Sequence, residues 1–216
     1  EEKDLNSTGF FRLLEEHGKA LTYLVFLFMG FVVAFSFWYI VFEDGNQNFR
    51  AQIETYCLIN RPSNFDQCIS DYGIGHEKST TGFSSARAKV ISIFINNIYV
   101  LIFTLIFSLI FGAGAIFILA WNASVIASAI GIFSKGSLSR LPLAIGRYMI
   151  HGVPEIASYF IGALAGGIVS IAIIKHDIRS NKFWTILQDS LNLIIAAMII
   201  LFIAALIEVF ITPALF

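Results

Sequence analysis

A chain of 216 residues that is 57% hydrophobic and only 13% charged, with a mean hydropathy of +0.77, cannot hide its apolar surface inside a soluble fold; soluble domains carry roughly 25% charged residues. A formal net charge of -1 argues against nucleic acid as a partner and against a polybasic membrane patch. What remains is an all-α, polytopic helical membrane protein, with membrane lipid as its first partner, because only helices or closed barrels satisfy the backbone inside a bilayer.

Residues 1–20 alternate Phe10, Phe11, Leu13 and Leu14 with charges, which predicts a short amphipathic segment lying at the interface. Residues 21–42 form the first uncharged apolar run, long enough to cross a hydrocarbon core of about 30 Å. The run is too long for a signal-peptide core, and its acidic flank lacks the usual basic bias. Trp38 and Tyr39, near its end, read as interface anchors, as does Trp184 further on.

Residues 43–88 make a polar insertion that holds both cysteines, Cys57 and Cys68. Two cysteines close together outside any apolar run predict a disulfide on the extracytoplasmic side; the alternative is two free thiols in a cytosolic loop. No further cysteine exists to complete a tetrahedral zinc site.

Residues 89–216 hold four further spans. The apolar stretch 89–133 is too long for one crossing and breaks naturally at Gly112-Ala113-Gly114, giving spans at 91–111 and 115–133. Residues 134–151 contain Lys135, Arg140, Pro142 and Arg147 and read as a re-entrant or interfacial half-helix. The fourth span is expected at 153–174 and the fifth at 191–212, joined by a polar linker over 175–189. Six basic residues flank the ends that face inward if the N-terminus is cytoplasmic, against three in the opposite short loop. That bias predicts a cell-membrane protein with a cytoplasmic N-terminus and an extracytoplasmic C-terminus.

Small residues recur at four-residue spacing in Gly30/Ala34, Ala123/Ala127/Gly131 and Gly162/Gly166. Such faces let helices approach closely, either within the bundle or across a homodimer. Polar residues inside spans are costly and therefore informative. Asn96, Asn97, Glu155 and Glu208 converge on one leaflet, with Asn122 nearer the middle and Arg147 and His151 just before the fourth span. Three explanations stand side by side: a water-accessible cation path, a metal site built from His151, Glu155 and Glu208, or a purely structural polar network. Pro154 favours the first helical position, which would leave His151 before the helix and Glu155 in its first turn. No serine elbow, phosphate-binding glycine loop or dinucleotide fingerprint occurs, so neither a catalytic residue nor a cofactor is expected.

Three ordered motifs, Asn96-Asn97-Ile-Tyr-Val100, His151-Gly-Val-Pro-Glu155-Ile156 and Ala204-Ala205-Leu-Ile-Glu208 through Thr212-Pro213, resemble the stage II sporulation protein M family. The glycine-bearing stretch 112–131, with Asn122, fits the same pattern, and the resemblance covers 89–216. It implies about five spans and, by analogy with the sporulation member, a membrane scaffold that recruits extracytoplasmic or membrane protein partners. The flanks look too short to carry an attached enzyme domain. A non-enzymatic scaffold is thus the leading expectation, a channel or transporter the second, and an intramembrane metal-dependent hydrolase the third.

Overall fold

A computed structural model describes residues 14–15, 17–42, 45–60, 64–72, 86–111, 114–134, 138–175 and 180–215. Of the amphipathic segment expected at 1–20, residues 1–13 and 16 lie outside the described residues, as do Gly112 and Ala113. Among the described residues every regular element is helical: α1 (Gly18–Val41), α2 (Gly45–Asn48), α3 (Arg50–Asn60), α4 (Phe65–Asp71), α5 (Ala86–Phe111), α6 (Ala115–Ser134), α7 (Leu141–Lys175), α8 (Asn181–Leu206) and α9 (Thr212–Leu215). A 3-10 turn over Leu138–Arg140 leads into α7, and a π turn over Ile207–Ile211 joins α8 to α9. Helices α1, α5, α6, α7 and α8 are long and apolar enough to cross a membrane, so the chain is a multi-pass membrane protein.

Helix α7 is the axis of the bundle. It packs against α5, α6 and α8, and more lightly against α1, while α1 lies along α6. At 35 residues it is about 53 Å long by helical rise, well beyond the hydrocarbon thickness of about 30 Å. The segment expected to be a separate re-entrant half-helix is instead the first part of this continuous helix. Gly146 and Arg147 interrupt apolarity without interrupting backbone bonding, so a run too polar to span alone extends a span already formed. Pro154 correspondingly sits inside α7 rather than at its start. It withdraws one donor from the helix, a loss that neighbouring helices make tolerable in membranes.

The fifth span also begins earlier than expected. Ser180 caps α8, its hydroxyl accepting the Phe183 N–H at 3.2 Å, so the polar stretch from Asn181 is helical rather than linker. Between α5 and α6 the break falls where glycine requires it: a Cβ on Gly114 would lie 2.6 Å from the Phe107 carbonyl oxygen.

The small-residue faces of α6 and α7 are spent inside the bundle. A Cβ on Gly166 would sit 2.6 Å from the Leu105 carbonyl oxygen, and one on Gly162 would strike the Leu101 side chain. This close approach lets Ser108 donate to the Ala163 carbonyl at 2.6 Å and Ser190 to the Ala165 carbonyl at 3.0 Å, tying α5 and α8 to α7. Gly131 lies under the ring of Tyr39, which is buried there rather than placed at an interface. Trp38 and Trp184 are exposed. Gly30 has nothing within 4 Å of where its Cβ would be, so the α1 notch faces outward.

The insertion between α1 and α5 is stapled by Cys57–Cys68, with Cα atoms 5.8 Å apart. It is built into the bundle rather than perched on it. Phe49, Ile53, Tyr56, Cys57, Cys68 and Ile69 form one buried cluster with Tyr39 and Ala129. Gln52 donates to Ser124 at 3.0 Å. Ser124 lies ten residues before Ser134, the last residue of α6, so α3 reaches about 15 Å down that helix.

Candidate functional site: a polar layer and its cleft

At the end of the bundle that also carries the cystine, three elements bring polar groups together. Asn97 on α5 donates to Glu155 Oε1 on α7 at 2.7 Å. Asn96 donates to Asn97 Oδ1 at 3.4 Å, a long bond from a side chain that is otherwise exposed. Glu208, in the π turn, comes within electrostatic range of Glu155, and Tyr159 is buried alongside both. A desolvated carboxylate needs its lone pairs answered, and the Asn97 amide answers one of them.

The π turn has a cause in the sequence. Pro213 has no N–H, and in a regular helix its ring would press on the carbonyl four residues earlier; a wider turn relieves that contact. Thr212 closes the turn by donating both its backbone N–H and its hydroxyl, the latter at 3.3 Å, to the Ile207 carbonyl. The same hydroxyl lies 3.2 Å from His151 Nδ1, which binds the C-terminal turn to α7. Turns of this kind frequently occur at functional sites.

His151 and Glu155 do share one α7 helix, four residues apart, contrary to the expectation that His151 precedes it. They are nevertheless spent on different partners, His151 on Thr212 and Glu155 on Asn97. Accordingly His151, Glu155 and Glu208 do not assemble into a ligand set, and no group of three His, Cys, Asp or Glu positioned for a metal ion occurs among the described residues. Asn122 is also separate. Its amide donates to the Ile118 carbonyl of its own helix at 2.8 Å.

Above the layer a cleft of about 180 Å³ opens, lined by Lys89, Arg147, Tyr148, His151, Glu208 and Thr212 among others. Arg147 lies over the Phe133 ring, 5.4 Å from its centroid. Beneath the layer the bundle is closed by apolar packing: Leu101, Ile161, Leu164, Leu193, Ala197 and Leu201 are buried in one cluster. Sequence reasoning missed Lys89, Thr212 and the Gln52–Ser124 bond. Thr212 was signalled by its place in the third motif; Lys89 looked like an ordinary flank, and Gln52 like part of a solvated insertion.

Comparison with known protein families places this geometry. The stage II sporulation protein M family matches residues 20–213, which takes in α1 and the stapled insertion as well as the three motifs. Neither the curated proteins nor the solved structures yield a match. With nearly its whole length covered, the chain belongs to the stage II sporulation protein M family.

Proposed function

We propose that the chain is a non-enzymatic membrane scaffold whose cystine end receives a membrane or extracytoplasmic protein partner. The observation that carries this reading is the apolar closure beneath the polar layer. A polar end backed by Leu101, Ile161, Leu164, Leu193 and Leu201 is a blind site, suited to assembly rather than to conduction. The polar side chains themselves act mainly as ties, from Asn97 to Glu155 and from His151 to Thr212, which hold three elements in fixed register. In this reading the N-terminus is cytoplasmic and the cystine end faces outward, following the basic-residue bias and the oxidised pair.

A transport function is the second reading, favoured by one feature: Glu155 is held inside the bundle by the Asn97 amide with Glu208 within electrostatic range, and a cation or proton would neutralise the pair. Vesicle reconstitution separates the two. The scaffold reading expects wild-type protein to pass protons, sodium and potassium no faster than empty vesicles. It also expects a photo-reactive residue at the exposed Phe210, beside the layer, to form a discrete adduct in cells. Flux that Glu155→Gln and Glu208→Gln abolish would overturn it in favour of transport.

A further inference from the structure

The cleft holds chemistry that the ties between helices leave unused. Lys89 enters it from α5, Arg147 from α7 and Glu208 from the π turn. Among the described residues neither cation forms an ion pair, and Glu208 has no hydrogen bond. Arg147 is instead held by the Phe133 ring. Two cations and a carboxylate therefore line one small cavity without neutralising one another, and the cavity offers both signs of charge to whatever enters.

Volume and rim narrow the ligand. At about 180 Å³ the cleft admits a compact headgroup but not a whole lipid. Ile93, Val209 and Pro213 form the apolar part of the cleft wall, and Ile211 and Leu215, on the elements that carry the last two, are exposed. A free ion would meet only the polar floor. A lipid would satisfy the floor with its headgroup and the rim with its chains.

We infer that the cleft binds the headgroup of a zwitterionic phospholipid of the phosphoethanolamine class. The phosphate faces Lys89 and Arg147, the ammonium group faces Glu208, and the acyl chains lie over the apolar rim. This needs only the cleft and is independent of whether the protein recruits a partner or moves an ion.

The test uses the full chain, purified and stripped of lipid in detergent. It is titrated with phosphatidylethanolamine, phosphatidylglycerol or inorganic phosphate and read by native mass spectrometry. Wild type should retain phosphatidylethanolamine in preference to phosphatidylglycerol, and inorganic phosphate should not displace it. Lys89→Gln and Arg147→Gln should each weaken retention about fivefold, the effect of one cation at a membrane surface. Glu208→Gln should keep lipid binding but lose the preference for phosphatidylethanolamine. Lys89 is exposed, so its replacement leaves folding intact. Equal retention of the two lipids by wild type, retention indifferent to Lys89→Gln, or displacement by inorganic phosphate would each overturn the inference.

Discussion

Asn97 and Asn122 stand on neighbouring spanning helices and were equally conspicuous as polar letters in apolar runs, but they spend their amides differently. Asn97 bonds across to Glu155, whereas Asn122 bonds back to Ile118 within its own turn. Replacing Asn97 by Leu should cost about 1–2 kcal/mol, because the bond itself contributes about 0.6–1.7 kcal/mol in a membrane and the orphaned carboxylate adds to the loss. Replacing Asn122 by Ala should stay within about 0.5 kcal/mol. Denaturant unfolding of the two variants in detergent checks both, and an equal loss would mean that Asn122 serves the layer after all. The sequence showed which residues were too polar for their surroundings. It could not show their partners, since an amide four residues from its own carbonyl always has a local alternative to an interhelical bond.

Among the elements, those defined by apolar length were legible and those defined by continuity were not. Helices α5 and α6 end within a few residues of where their apolar runs do, because lipid forces the backbone of such runs to bond internally. Helices α7 and α8 extend well past their apolar cores, back through Arg147 to Leu141 in one case and from the Ser180 cap in the other. Hydropathy measures what lipid will accept and says nothing about how far a helix continues beyond it. The small-residue faces divide in the same way: spacing made Gly166 and Gly30 look alike, while packing separates them. Gly166→Val should cost about 1–3 kcal/mol, since its Cβ meets the α5 backbone, which cannot swing aside like a side-chain tip. Gly30→Val should be neutral by the same unfolding measurement, because nothing lies within 4 Å. A large loss at Gly30 would point to an outward face engaged by another copy.

For the whole molecule, orientation is the property on which the scaffold reading turns. Single cysteines introduced at Lys89 and Lys182, at opposite ends of the bundle, should report it in intact cells, with Cys57 and Cys68 left oxidised. A membrane-impermeant maleimide should label Lys89→Cys directly and Lys182→Cys only after permeabilisation; the reverse pattern would place the cystine end in the cytoplasm. The stapled insertion has a further consequence, for the order in which the protein can be made. Its buried face includes Ala129 of α6 and its side chain Tyr56 stacks edge-on against Tyr148 of α7. A ribosome that has delivered α1, α3 and α4 has therefore produced a cystine whose cover from Ala129, Ile132, Phe133 and Tyr148 is still unsynthesised. Until α6 is threaded, those aromatic and aliphatic side chains remain open to reductants, proteases and the membrane insertion machinery, so the N-terminal third matures late although it is born first.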